Sequence, residues 1–177
     1  ALLVKVAALY HDIGKMENPQ YYIENQGHHE NPHANLSCLE SAKMIISHVT
    51  EGVKLAKKHH LPPVLIDFIL THHGTTRVEY FYRTYQKDNP ELNINPDDFT
   101  YPGSKPKTKE QAIMMIADSL EAASKSLKSP KEEDIDNLVE NIIQGKITMG
   151  QLQDTSLSFR ELESVKVVLK KLLKSIN

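Results

Sequence analysis

His11 and Asp12 are adjacent and directly follow the apolar run Leu2-Leu3-Val4-Lys5-Val6-Ala7-Ala8-Leu9. The run has no Gly or Pro and is expected to be helical. At helical spacing Ala8, His11, Asp12 and Lys15 share one face. A carboxylate on a buried face is costly unless a cation or hydrogen-bond donors offset it. A divalent metal would offset both the carboxylate and the imidazole beside it. Taken alone, the pair is weak evidence and reads better as a helix-end aspartate capping a neighbour, with His11 a satisfied polar group. Its weight comes from four more misfits of ligand type. His48 interrupts Ile45-Ile46-Ser47-His48-Val49, His72 and His73 follow Phe68-Ile69-Leu70, and Asp118 breaks the apolar run that ends at Ala117.

Imidazole with carboxylate suits a first-row divalent ion. Neighbouring histidines diverge by about 100° on a helix, so His72 and His73 reach one ion only at a frayed end, which Gly74 supplies. Two divalent ions are expected, with Asp12 bridging them. Against Asp12 and Asp118 they leave a positive surplus, which favours an anionic substrate such as a phosphate. Lys15 fits that account, because an ammonium beside metal ions is repelled unless an anion lies between them. His28, His29 and His33 offer a second metal reading, but they are better read as polar loop groups, with His33 near a helix start.

The rest of the chain bounds the setting. Its 177 residues suit a single domain, 1–177. With 21 basic and 23 acidic residues it has no charge excess for a DNA or RNA polymer or a membrane surface. Cys38 is the one cysteine, so no internal disulfide forms. No run approaches the ~20 apolar residues of a membrane span. No signal peptide precedes the first helical pattern, and starting inside that pattern suggests a piece of a longer protein.

Helices must position these groups. The spacing predicts them over about 2–13, 34–60, 64–73, 108–128 and 158–176, with another opened by Ser129-Pro130-Lys131-Glu132 and ended by Gly145. Lys146 to Ser156 is expected to be a connector. Tyr80 to Tyr85 is aromatic-rich, read chiefly as core and alternatively as a base-stacking wall. Residues 88–107 read as a long loop. Its Tyr101-Pro102-Gly103-Ser104-Lys105-Pro106 segment offers a ring and a cation to a ligand, or a rigid linker turn. No strand pattern stands out, so the fold class is all-α. The C-terminal helices look structural or oligomeric.

In this order, on helices, His11-Asp12, His48, His72-His73 and Asp118 resemble the HD-domain phosphohydrolase superfamily. Further motifs narrow the resemblance: His11-Asp12-Ile13-Gly14-Lys15, Asn31-Pro32-His33, His72-His73-Gly74-Thr75, Tyr101-Pro102-Gly103 and Ala117-Asp118-Ser119. They are similar to the cytoplasmic domain of the seven-transmembrane HD receptors, a group that includes bacterial cyclic-di-AMP phosphodiesterases. The resemblance implies an HD-domain helical bundle. One metal would be held by His11, Asp12 and Asp118, and another by Asp12, His48, His72 and His73, with iron or manganese favoured. It implies hydrolysis of one phosphodiester bond to give the linear dinucleotide, with Asp12 and Lys15 catalytic. Lys15, Thr75, Tyr80, Tyr101 and Lys105 would contact substrate. The alternatives are a mononucleotide or triphosphate phosphohydrolase, or a sensor that binds a cyclic dinucleotide without turnover. The resemblance also implies a cytoplasmic domain of a bacterial inner-membrane protein, in which a further histidine ligand lies upstream of residue 1. Ser104 departs from the proline of the family's Tyr-Pro-Gly motif.

Overall fold

The computed structural model describes residues 2–26, 31–127 and 129–176, so His28 and His29 lie outside the described residues. The described residues form seven α-helices: α1 (Leu2–Tyr10), α2 (Cys38–Lys58), α3 (Pro63–Thr71), α4 (Glu79–Asp88), α5 (Lys109–Ser124), α6 (Glu132–Thr148) and α7 (Phe159–Ile176). Among those residues strand pairing is confined to one isolated antiparallel bridge, Arg77 with Thr100. No described helix is long and apolar enough to cross a membrane. The chain divides into two compact units, residues 1–70 with 75–104 and residues 71–74 with 105–177.

In the first unit α1 stops three residues before the expected Ile13. The His11 amide still donates to the Ala7 carbonyl, and a tighter helical turn, Ile13–Glu17, then takes over. The reason lies at Gly14. A Cβ there would stand 1.9 Å from the His48 carbonyl oxygen and 2.5 Å from the Gly52 nitrogen. The backbone after Asp12 therefore lies directly on one turn of α2, which only a residue without a side chain permits. Gly52 is in turn closely packed on α3, since a Cβ on it would be 3.0 Å from Ile69 Cγ2. Helix α2 begins later than expected, at a capping box in which Ser37 and Glu40 satisfy each other's backbone amides. Tyr82 and Phe99 are buried with Ala42 in a core flanked by Leu39, Phe81, Tyr85 and Ile94. The long loop is tied down rather than free. The Val78 amide donates to Phe99 and the Tyr101 amide to Thr76, each at 2.9 Å.

In the second unit α5, α6 and α7 close on Ile116, Leu120, Ile135, Val139, Ile143, Leu162 and Leu173. Each fully buried aliphatic side chain of this kind contributes roughly 1.5–3 kcal/mol. Helix α5 starts at the expected Thr108–Gln111 capping box. Helix α6 departs from expectation at both ends. Asp134, not Glu132, accepts from the backbone amide at its start, that of Lys131. It also runs through Gly145 to Thr148. Its stop is Gly150, with φ +63, where the Gln151 amide donates to Lys146 and the Gly150 amide to Ile147. That is the Schellman pattern. Lys146 is thereby helical and not part of a connector. Helix α7 begins at the expected Ser158–Glu161 box, and Lys109 of α5 also pairs with Glu161.

Gly14→Ala is expected to lower unfolding free energy by about 1–3 kcal/mol, because the α2 backbone it meets cannot move aside cheaply; urea denaturation checks this. The Lys109 ammonium and the Ser158 hydroxyl and amide hold the Glu161 carboxyl down at about 2. A carboxyl depressed on folding stabilises above its unfolded value and ceases to do so as pH falls through the folded one. The Tm deficit of Glu161→Gln is therefore expected to be constant from neutral pH down to about 4.3 and to vanish on further acidification. A deficit that grows in acid would refute the pairing.

Candidate metal and phosphate site

In the first unit, the end of α1 and the middle of α2 supply one cluster. The His11 Nδ1–H donates to the Ala8 carbonyl at 3.0 Å, which leaves Nε2 facing Asp12 Oδ2 at 3.2 Å. On α2 the His48 Nδ1–H donates to the Ile45 carbonyl at 2.7 Å, leaving Nε2 3.4 Å from Asp12 Oδ1. Both imidazoles thus spend one nitrogen on their own helix backbone and aim the other at the same carboxylate. In the neutral ring the aimed nitrogen carries a lone pair. Lone pairs facing carboxylate oxygens repel unless a proton or a cation lies between them. An Nδ1–H anchored on a backbone carbonyl is also the usual arrangement of a metal-ligating histidine. This donor set fits a divalent cation.

Lys15 reaches the same carboxylate. Its Nζ is 2.7 Å from Asp12 Oδ2 and 2.5 Å from Glu24 Oε1, and it lies 5.3 Å from the centre of the Tyr22 ring. Burial pulls the ammonium's pKa down, but Asp12 and Glu24 together outweigh it and hold Lys15 above its ordinary value. Burial likewise works against the Glu24 carboxylate, yet the hydrogen bond from Lys15 keeps it below the usual range. Tyr22 is buried, meets the His48 ring edge-on at 5.8 Å, and donates its hydroxyl to the Met44 carbonyl. Burial pushes that phenol up to about 12. Tyr101 also meets the His48 ring edge-on, at 6.0 Å between centroids, and is only 8% exposed.

In the second unit the chain leaves α3 at Thr71 and turns through His72, His73 and Gly74. The two rings are tilted with centroids 4.1 Å apart, His72 fully buried and His73 partly so. A ligand nitrogen of each comes within 4.8 Å of the other. His73 Nδ1 lies 3.6 Å from Asp118 Oδ2 of α5. Gly74, with φ +56, makes the turn. A Cβ there would be 2.4 Å from Gln151 Oε1 and 2.8 Å from Met115 Cε, so the buried Gln151 amide seals the corner. Helix α3 ends at Thr71, two residues before the expected His73, so both histidines lie past its last turn.

The expected substrate contacts divide. Tyr101 does not project a ring into solvent; it is packed beside His48. Tyr80 is 73% exposed and meets Phe81 edge-on, while Tyr82 belongs to the core. Thr75 is exposed. Lys105 is half-buried, its Nζ 3.6 Å from where a Cβ on Gly150 would lie. Four residues near the donor sets went unread from sequence as site residues: Tyr22, Glu24, Gln151 and Lys146. Tyr22 and Glu24 sit in a non-periodic loop. Gln151 and Lys146 were hidden by placing the end of α6 at Gly145.

Residues 1–123 match the family model described as HD domain, a span that contains all six proposed ligands. The chain is 42% identical over 175 residues to a Bacillus subtilis (strain 168) protein named cyclic-di-AMP phosphodiesterase PgpH, covering 99% of this chain and 24% of that one. It is 38% identical over 169 residues to the protein of the same name from Listeria monocytogenes, covering 96% and 23%. The chain thus spans about a quarter of the length of the curated relatives it matches. Among solved structures it resembles the L. monocytogenes PgpH HD domain in complex with cyclic-di-AMP. There the TM-score is 0.95 at 38% identity, over 99% of this chain and 81% of that one. All-α, with the family's motif over most of its length, the chain belongs to the HD-domain family, whose fold implies a divalent metal.

Proposed function

We propose that the chain hydrolyses cyclic-di-AMP to the linear dinucleotide with the help of two divalent ions, iron or manganese. The observation that carries this reading is the aim of His11 and His48: both leave Nε2 turned toward the Asp12 carboxylate. The relatives' names and the neighbour with cyclic-di-AMP bound indicate the substrate. In this reading His11, Asp12 and Asp118 hold one ion, and Asp12, His48, His72 and His73 hold the other. Bound ions of this kind would supply a hydrolytic nucleophile at neutral pH and neutralise charge that builds on phosphorus.

The chain's own groups do the remaining work. Asp12 presents one oxygen toward His48 and the other toward His11, so its carboxylate is shaped to serve two partners at once. Glu24 holds the Lys15 ammonium in place and charged. From there Lys15 contacts a non-bridging phosphate oxygen, or gives a proton to the leaving ribose oxygen. Tyr22 and Tyr101, buried on either hand of His48, keep its ring from rotating and water from its flank. By analogy with its relatives the chain is the cytoplasmic domain of a membrane protein.

The test is product analysis with Mn²⁺-loaded protein. Cyclic-di-AMP is expected to yield the linear dinucleotide, not free mononucleotide or triphosphate. Binding without turnover would favour a sensor. Asp12→Ala and His72→Ala are each expected to lower metal occupancy and cut turnover by at least ~100-fold, with the helical circular dichroism unchanged. Parental turnover in either variant would sink the ligand assignment.

A further inference from the structure

His33, in the first unit, is a histidine that the metal chemistry leaves without a role. Its Nδ1 is buried and has no hydrogen-bond partner. The other ring nitrogen, Nε2, stands 2.8 Å from the Tyr21 carbonyl oxygen, so it is the one that carries the proton and donates. The ring meets Tyr21 edge-on at 5.3 Å and leans on Phe81 of α4 at 5.6 Å. A phenyl ring would pack in that place too, and would bury no unsatisfied nitrogen. What the imidazole adds is the bond to the Tyr21 carbonyl. The Asn31 carboxamide oxygen sets its approach by accepting from the His33 amide at 3.0 Å.

Tyr21 belongs to a segment of two short 3₁₀ turns, Pro19–Tyr21 and Ile23–Asn25, joined at an extended Tyr22. Of residues 19–25 only Tyr22 is buried. The backbone bonds inside the segment, Tyr22 amide to Pro19 and Asn25 amide to Tyr22, close each turn but do not fix where the segment lies. Side chains do that. Tyr22 donates to the Met44 carbonyl of α2 at 3.2 Å, Glu24 pairs with the Lys15 ammonium, and His33 ties the Tyr21 carbonyl to the ring of Phe81. The tether acts on the peptide unit directly before Tyr22, whose ring lies 5.3 Å from Lys15 Nζ, and three residues before Glu24. We infer that His33 is a positioning residue for Lys15: by holding the segment that carries Tyr22 and Glu24, it sets where the ammonium is presented to a substrate phosphate. This role rests on the hydrolase reading, in which Lys15 meets a phosphate oxygen or the leaving ribose oxygen. His33 acts through the segment and not on the substrate.

The experiment compares the parent with His33→Phe, which keeps a ring and removes the donor, and His33→Gln, which keeps an N–H donor. Each is made alone and with Lys15→Met. Two quantities are read: kcat/KM for cyclic-di-AMP on Mn²⁺-saturated protein, and the rate at which each lysine is acetylated by an N-hydroxysuccinimide ester, followed by peptide mass spectrometry. His33→Phe is expected to lower kcat/KM by about 3- to 10-fold, the loss of one hydrogen bond. Lys15 should be acetylated several-fold faster, the other lysines at the parental rate, and the Mn²⁺ Kd and helical circular dichroism should not change. In the Lys15→Met background His33→Phe should cost nothing further, because the group it positions is gone. His33→Gln should recover most of the loss. An equal loss in both backgrounds, or parental acetylation of Lys15 in His33→Phe, overturns the inference and leaves the hydrolase reading intact. A parent that does not cleave cyclic-di-AMP sinks the hydrolase reading instead, and acetylation of Lys15 then decides by itself whether His33 holds the ammonium.

Discussion

Much of this structure depends on the placement of one carboxylate. Asp12 faces the Nε2 atoms of His11 and His48 at 3.2 and 3.4 Å and the Lys15 ammonium at 2.7 Å. Three nitrogen groups converge there only because the backbone after Asp12 lies against α2 at His48 and Gly52, where the bare Gly14 fits. A helix continued to Ile13 would have carried Asp12 and Lys15 along a straight cylinder. The early stop at Tyr10 instead folds the next turn back on itself, so that Lys15 meets Asp12 through a 3₁₀ register. The site chemistry and the closest backbone approach of the first unit are thus one feature.

The second unit solves a different geometric problem. Side chains adjacent in sequence point apart on a regular helix, yet His72 and His73 have ring centres 4.1 Å apart. Ending α3 at Thr71 releases the pair from helical spacing, and the positive φ of Gly74 turns the chain immediately after it. Gln151, from beyond the end of α6, occupies the space that a side chain at position 74 would need. The position of the corner therefore depends on how α6 terminates some eighty residues later.

Lysine shows how much context decides. Lys15 and Lys146 carry the same side chain, and each is half-buried. Lys15 has a second carboxylate, Glu24, and remains fully charged above its ordinary pKa. Lys146 has burial and Asp118 alone, and its pKa falls. The first is an ammonium held between two carboxylates; the second makes no ion pair among the described residues.

What the sequence by itself determined is local and chemical. Apolar spacing located six of the seven described helices, missing the aromatic-rich α4, and Thr108–Gln111 and Ser158–Glu161 caps marked two starts, because both signals act within one or two turns. The misfit histidines and aspartates stood out because ligand-type groups on apolar faces demand compensation wherever they fold. Family motifs then named the expected chemistry. Tertiary structure decided the rest, since it depends on contacts far apart in the chain. The backbone of α2 ended α1 at Tyr10, and packing allowed α6 to run through Gly145, where nothing crowds the glycine, to the left-handed Gly150. It also turned Tyr101 inward onto His48 and left Tyr80 in solvent. Whether a loop glutamate such as Glu24 finds a lysine, or a helical lysine such as Lys146 does without one, is fixed by distances between segments, which no window of sequence contains.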